Sequence, residues 1–194
     1  MCVLALVLGD DGRLVAAANR DEAYDRPSAP PAEIEPGVIA PLDLRGGGTW
    51  LAVNRHGLFA AVTNRTSPAP GDYSRGLLLR DTLSCRQLNC LRGIVERAVD
   101  RRRMAGFNLV AVVGGRGVCL MWDGALRAVE FGPGAHVVSS DRDFDDPSLP
   151  EKAAFDAFLA RQNPTADTLQ SYLASHEGER PVCKHKAGFG MVSS

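Results

Sequence analysis

The N-terminal segment contains the pattern that most limits how this chain can fold. An apolar run from Val3 to Leu8 and a second from Leu14 to Ala18 flank the segment Gly9-Asp10-Asp11-Gly12. Two apolar runs that enclose a short Gly/Asp segment are typical of a β-hairpin. In such a hairpin Cys2 lies roughly opposite the start of the tetrad Asn19-Arg20-Asp21-Glu22, where cross-strand neighbours are about 5 Å apart. The sequence therefore predicts that the second residue and this charged tetrad share one end of a sheet.

Cys2 is a candidate nucleophile, because its small side chain generally allows Met1 to be removed. The thiol would then share a residue with a free α-amine, whose ordinary pKa of about 7.7–8.0 suits a general base. Arg20 could lower the pKa of the thiol or hold an anionic substrate group, and Asp21 could orient the amine or Arg20. The alternative is that Cys2 is a small buried apolar residue and that the charges form a solvated hairpin end. The spacing leaves both interpretations open.

The remainder of the chain alternates between strand-like and helix-like stretches. The proline-rich segment Arg26–Pro36 predicts an extended loop, because proline lacks the backbone donor that a sheet interior needs. Gly46-Gly47-Gly48 precedes a strand rather than a helix, so it predicts close approach of the backbone to another strand or a ligand, not a phosphate loop. Strands followed by helices, twice over and without a linker, predict a single α+β domain over residues 1–194. We predict further strands at Val38–Ala40, Trp50–Asn54, Leu58–Thr63, Phe107–Val113, Val118–Trp122, Leu126–Phe131 and Val137–Ser140, and helices at about Arg75–Arg102, Pro150–Gln162 and Ala166–Ser175.

Composition argues against several classes of protein. A net charge of −1 gives no field that would hold a polyanion, so nucleic acid is not an expected partner. No stretch approaches the roughly 20 apolar residues that span a membrane. The five cysteines are odd in number and irregularly spaced, which argues against a disulfide framework and for a reducing cytoplasm. Cys85 and Cys90 are expected to be packing residues. The acidic segment 141–146 lacks the glycine and terminal glutamate of a calcium loop, and no metal site is predicted.

Five motifs in one order carry a resemblance to a known family. They are Met1-Cys2-Val3-Leu4, Ala17-Ala18-Asn19-Arg20-Asp21-Glu22, Arg26-Pro27-Ser28-Ala29-Pro30, Asp43-Leu44-Arg45-Gly46-Gly47-Gly48-Thr49-Trp50-Leu51-Ala52-Val53-Asn54 and Gly57-Leu58-Phe59-Ala60-Ala61-Val62-Thr63-Asn64-Arg65, with Ser74-Arg75-Gly76 and Phe107-Asn108-Leu109 as further landmarks. The chain resembles the NRDE family, also called the transport and Golgi organisation family. The likeness is dense over roughly the first 76 residues. It implies a four-layer αββα sandwich of two stacked antiparallel sheets, as in N-terminal-nucleophile hydrolases. In this family the chain usually continues through a final strand, so a stop at Ser194 predicts either a missing strand or a shortened sheet edge.

The resemblance to these hydrolases implies a catalytic site. Cys2 would be nucleophile and base, Arg20 and Asp21 its electrostatic partners, and Asn64 or Asn54 the donor to an oxyanion. Many relatives carry Ser-Asn at the end of a middle strand, where this chain has Ser139-Ser140, and this departure removes one amide donor. The expected ligand-binding residues, all in the tetrad or the glycine-rich segment, are Asn19, Arg20, Asp21, Glu22, Gly47, Gly48 and Thr49.

The family resemblance also implies a role in haem trafficking, and we expect this role ahead of a cysteine amidohydrolase. Haem would be cargo, with no required cofactor. Support from the residues is thin, since the chain has four histidines and no Cys-x-x-Cys-His attachment motif. Cys183 and His185 stand two apart, a pair that could ligate iron. A small-molecule ligand is expected under either function, and the sequence leaves the oligomeric state open.

Overall fold

The structure is a computed structural model that describes residues 2–66, 70–176, 182–183 and 189–193, with the side chains of Asp21 and 189–193 excepted. Eleven strands and four helices form this part of the chain. The strands are β1 Val3–Leu8, β2 Leu14–Ala23, β3 Ser28–Glu35, β4 Val38–Asp43, β5 Leu51–Asn54, β6 Phe59–Asn64, β7 Phe107–Val113, β8 Arg116–Trp122, β9 Leu126–Phe131, β10 Gly134–Ser139 and β11 Phe189–Ser193. The helices are α1 Arg75–Asp81, α2 Leu88–Arg101, α3 Pro150–Leu159 and α4 Ala166–Leu173.

The strands form two antiparallel sheets. The smaller sheet has the order β10-β1-β2-β11, and the larger has the order β3-β4-β5-β6-β7-β8-β9. Most neighbours in the larger sheet are consecutive in sequence and joined by short turns, whereas β1 in the smaller sheet pairs with the distant β10. The N-terminal strand is therefore held between two partners at the centre of its sheet.

Three apolar clusters separate four layers. One cluster, which includes Leu6 and Val110, fills the space between the two sheets. A second, with Leu91 and Phe107, lies between the larger sheet and helices α1 and α2. A third, centred on the fully buried Phe155, lies between the smaller sheet and helices α3 and α4. The predicted α+β fold, an αββα sandwich of two stacked antiparallel sheets, is confirmed.

The proline-rich segment was predicted as a loop, and that prediction is wrong. Ser28–Glu35 forms β3, the edge strand of the larger sheet, in pairing with β4. Prolines are tolerated there because an edge strand leaves one row of backbone groups unpaired. Pro30 and Pro31 also lie within the register shift between Ala29 and Ala32, where the ladder is already interrupted.

The helical region contains a second correction. Two helices, α1 and α2, lie within the stretch of about Arg75–Arg102 where helices were predicted, but a disulfide between Cys85 and Cys90 spans the turn into α2. The two cysteines are therefore covalent partners rather than separate packing residues. The sequence argument relied on the odd number and irregular spacing of all five cysteines, which does not exclude a disulfide between two that are close in sequence.

Strand β2 is longer than the predicted Leu14–Ala18, and this difference determines the site. Pairing with β11 continues the strand through the whole tetrad, with Asn19 opposite Ser193 and Ala23 opposite Phe189. The charged tetrad is thus part of a strand with fixed side-chain alternation, not a hairpin end. Among the described residues, no helix is both long and apolar enough to cross a membrane.

Candidate active site

Cys2 lies directly before β1, at the end of the smaller sheet. The register pairs Val3 with Asn19, so Cys2 faces Arg20 across the hairpin, as the sequence predicted. On the other side of β1, Val3 pairs with Ser139, which places Ser140 beside Cys2. The Cys2 backbone nitrogen donates to Ser140 Oγ at 2.9 Å, and Ser140 N donates to the Cys2 carbonyl at 3.0 Å. Both neighbouring strands therefore fix the position of Cys2.

The tetrad splits between two environments. Asn19 is 2% exposed, and its Nδ2 donates to the Leu173 carbonyl at 2.8 Å in helix α4. Its side chain is therefore held on the helix-covered face of the sheet and is not among those that line the cleft, and its role in ligand binding stays a prediction. Arg20 and Glu22 line a cleft with Cys2. Only the backbone of Asp21 is described, so its predicted roles in catalysis and ligand binding fall outside the described residues.

A buried carboxylate on the larger sheet organises the cleft. Asp43 Oδ2 accepts from Arg20 Nη2 at 3.1 Å and from Arg26 at 2.9 Å to Nε and 2.6 Å to Nη2. Asp43 Oδ1 accepts from the backbone N–H groups of Arg45 and Gly46 at 3.1 and 3.0 Å. Burial would raise the pKa of Asp43, but the bonds from Arg26 and Gly46 outweigh it and lower that pKa. Asp43 thus stays ionised and links the two sheets through Arg20.

Arg20 has little freedom to serve as a mobile ligand group. Besides Asp43, its Nη2 meets Glu22 Oε2 at 3.4 Å, and its guanidinium lies 4.2 Å from the centre of the Trp50 ring. Glu22 also pairs with Arg26 at 3.4 Å. A planar guanidinium suits such combined stacking and ion pairing. Arg20 is therefore a fixed part of the cleft wall, and its positive charge lies close to Cys2.

The glycine-rich segment meets the cleft with only part of its length. Gly48 and Thr49 line it, whereas Gly47 has a φ of +67° and donates its N–H to the Asp43 carbonyl in a turn. A Cβ on Gly48 would lie 2.4 Å from the backbone carbon of Gly76, so only glycine allows this approach. Gly47, which is not among the lining residues, is therefore a turn residue, and its ligand contact stays a prediction.

The two candidate oxyanion donors lie in different places. Asn64 ends β6 and lines the cleft, so its amide can face a bound substrate. Asn54 instead donates to the Leu83 and Cys85 carbonyls at 2.9 and 2.8 Å. Asn54 therefore fixes a loop and is not among the residues that line the cleft.

The cleft is narrow. Its volume is about 100 Å³, and residues from both sheets and from α1 line it. Since one water-sized group needs roughly 10–15 Å³ by this kind of measure, the cleft holds a reacting group rather than a whole large ligand.

Burial raises the pKa of the Cys2 thiol, although the hydrogen bond from Ser140 and the charge of Arg20 act in the opposite direction. The expected lowering of this pKa by Arg20 is outweighed by burial.

Four residues at this site were missed or underrated from the sequence. Asp43, Arg26 and Arg75 lie within segments that carried the family resemblance, and their charge was the signal that could have identified them. Ser140 was noted only as the loss of an amide donor. Its hydroxyl instead meets the Cys2 nitrogen, which a sequence separation of 138 residues concealed.

Comparison with known proteins agrees with this geometry. The sequence profile of the family described as Transport and Golgi organisation 2 matches residues 1–177. A Transport and Golgi organization 2 homolog of Mus musculus is 33% identical over 106 residues, and the human homolog is 34% identical over 106 residues. Each match covers 51% of this chain and 38% of the relative. The chain therefore aligns with well under two thirds of the relatives' length.

Two solved structures share the fold. The Caenorhabditis elegans ortholog of N-acylethanolamine-hydrolyzing acid amidase superposes with a TM-score of 0.62 and 11% identity, over 90% of this chain and 86% of that one. A mutant of conjugated bile acid hydrolase from Clostridium perfringens gives 0.51 and 11%, over 84% and 59%. These likenesses show an N-terminal-nucleophile-hydrolase fold. With a family profile that matches most of its length, the chain belongs to the Transport and Golgi organisation 2 family.

Proposed function

We propose that this protein is a cysteine amidohydrolase whose nucleophile is Cys2, freed at its nitrogen by removal of Met1. The observation that carries the proposal is the position of Cys2. Cys2 lines a charged cleft, and Ser140 Oγ lies 2.9 Å from the Cys2 nitrogen. The names of the two solved neighbours, an acid amidase and a conjugated bile acid hydrolase, are compatible with this chemistry. At 11% identity they support the fold and not the reaction.

In the proposed reaction the freed α-amine takes the thiol proton, and the sulfur attacks the amide carbonyl carbon. The raised pKa of the Cys2 thiol makes such a local base necessary, since burial keeps the thiol protonated at neutral pH. The charge that develops on the carbonyl oxygen is stabilised by the Asn64 amide. The ammonium then gives its proton to the leaving nitrogen, the C–N bond breaks, and a thioester remains on Cys2. Water cleaves that thioester to a carboxylic acid and restores the thiol.

The test is the mass and acylation of protein made in cells. Intact mass should show loss of one methionine, and a 4-nitrophenyl acyl ester should release one equivalent of nitrophenol in a burst that leaves the acyl group on Cys2. Cys2→Ala should abolish the burst, while Cys183→Ala, a matched change at a cysteine outside the cleft lining, should keep it. Full retention of Met1 in active protein, or acylation that survives Cys2→Ala, would overturn the proposal.

Haem trafficking, which the family resemblance implies, is the second candidate function. The cleft gives it less support, because a volume of about 100 Å³ is too small for a porphyrin and Arg20 is already ion-paired. His185, one of the expected iron ligands, lies outside the described residues. Hemin titration is the test. A saturable Soret shift that is weakened by Arg20→Gln would support haem binding at this site. A hemin affinity no higher than that of an unrelated protein of similar charge would rule it out.

A further inference from the structure

The charges that line the Cys2 cleft do not balance. Among the described side chains, the lining contains three guanidinium groups, those of Arg20, Arg26 and Arg75, and two carboxylates, those of Glu22 and Asp43. Both carboxylates are shared between Arg20 and Arg26 at distances of 2.6 to 3.4 Å. These four groups therefore neutralise one another, and the surplus positive charge belongs to Arg75.

Arg75 is half-buried, and within the described part of the chain it forms no ion pair. A hydrogen bond runs from its Nη1 to the Gly106 carbonyl at 3.1 Å. A guanidinium has five N–H donors, and Arg75 lines the cleft, so donors remain for a bound ligand. A positive charge withdrawn from water is stable only if an opposite charge or several acceptors meet it. In this cleft a bound anion would supply that partner.

The backbone around Arg75 is fixed, which makes its side chain suitable for recognition. Gly76 packs against Gly48, and the Gly76 carbonyl accepts from Thr49 N at 3.2 Å. Tyr73 forms a bridge with Met104 on the other side. Burial lowers the pKa of Arg75, while the Cys2 and Glu22 charges raise it, so Arg75 lies within electrostatic range of the nucleophile. An arginine held in place in this way loses little entropy when it binds an anion.

We propose that Arg75 binds a carboxylate that the substrate carries within a few bonds of the carbonyl that Cys2 attacks. The small volume of the cleft sets this distance, because Cys2 and Arg75 line the same space of about 100 Å³. The substrate class is therefore an amide with an adjacent carboxylate, and an N-acyl amino acid is its simplest form. Two N–H groups of a guanidinium can meet both oxygens of such a carboxylate. This assignment rests on the proposed function for the identity of the reacting group, but not for the anion site itself.

Alkylation of Cys2 tests the anion site without requiring hydrolysis. Iodoacetate and iodoacetamide react with a thiolate in the same way and differ in one charge, so the ratio of their rates cancels any change in thiolate population. Peptide mass spectrometry measures both rates at Cys2. We expect the ratio of the iodoacetate rate to the iodoacetamide rate to exceed that of free N-acetylcysteine by about tenfold, the scale of a charge-assisted pair. Arg75→Gln should return the ratio to that of the free thiol, and Arg75→Lys should keep part of it. Arg92→Gln, the same change at an exposed pair on α2, should leave it unaltered.

Two outcomes would overturn the anion site: a wild-type ratio no higher than that of the free thiol, or a raised ratio that survives Arg75→Gln. Hydrolysis of matched charged and neutral substrates then shows which part of the substrate carries the carboxylate. Arg75-dependent hydrolysis of N-butyrylglycine over N-butyrylglycinamide assigns it to the leaving group, and preference for N-butylsuccinamic acid over its neutral methyl ester assigns it to the acyl group. A raised, Arg75-dependent alkylation ratio without hydrolysis of either compound keeps the anion site and overturns the amidohydrolase.

Discussion

Two ion-pair clusters at different places in the fold are built in opposite ways. The cleft cluster, formed by Arg20, Glu22, Arg26 and Asp43, surrounds a buried carboxylate. The outer cluster, formed by Arg65, Asp123, Arg127 and Asp143, instead surrounds a half-buried arginine. Asp43 has 12% of its side chain exposed, and Arg65 has 11%. The acids of the outer cluster are 31% and 50% exposed, so water can replace their partners. The cleft cluster therefore depends on its ion pairs far more than the outer cluster does.

The largest effect is expected for Asp43→Asn. The amide would turn an N–H group towards the guanidinium groups of Arg20 or Arg26 and leave buried positive charge unpaired, which costs about 3 kcal/mol. Urea unfolding at pH 7 measures the change in free energy of unfolding. Asp72→Asn is the matched control, because Asp72 forms an exposed pair with Arg103 and its loss should cost below about 0.5 kcal/mol. Equal costs for the two substitutions would contradict the comparison.

The second effect is the acid sensitivity that Asp43 confers. A carboxylate whose pKa is lowered by folding contributes stability that is complete above its unfolded pKa of about 3.9 and is lost as the pH falls through the folded value. The difference between wild type and Asp43→Asn should therefore be constant from pH 7 to 5 and shrink below pH 4. Asp123 and Asp143 also have lowered pKa values, but they are common to both proteins and cancel. A difference that does not change down to pH 2.5 would show that the charge of Asp43 is not what stabilises the fold.

Arg65→Met should cost less, about 1–2 kcal/mol. Its acids can be solvated, and the main penalty is the fully buried Asn108, whose Oδ1 accepts from Arg65 Nη1 at 3.3 Å and would lose that donor. Arg65 also donates to the Arg142 carbonyl at 2.7 Å, in the loop that follows Ser140. Urea unfolding gives the stability, with Arg103→Met as the exposed control. A loss as large as that of Asp43→Asn would remove the distinction between the clusters.

The sequence predicted the surroundings of Cys2 in part and the outer cluster not at all. The β1–β2 register followed from two apolar runs around a turn, so the position of Cys2 opposite Arg20 was predictable. Asp43 and Ser140 approach Cys2 through the stacking of two sheets and the pairing of β1 with β10. No local period encodes those contacts, since they depend on the order of strands.

The same limit applies within the tetrad. The expected ligand-binding residues included all four of its members, Asn19 to Glu22. Its extension by β11 made it a strand, and in a strand consecutive side chains point to opposite faces. Asn19 therefore meets α4 while Arg20 meets the cleft.

Arg127→Gln should have the smallest effect and tests the outer cluster at its exposed side. Arg127 is 43% exposed and bonds Asp123 at 2.8 Å and Asp143 at 2.9 Å, but Arg65 holds the same two acids after its removal. We expect a loss of about 0.5 kcal/mol or less in 50 mM salt, and half of that or less in 1 M salt, because exposed pairs are screened. The cleft cluster provides the contrast, since the cost of Asp43→Asn should change little over the same salt range. A loss for Arg127→Gln above 2 kcal/mol that salt does not reduce would mean that the outer cluster, too, behaves as a buried one.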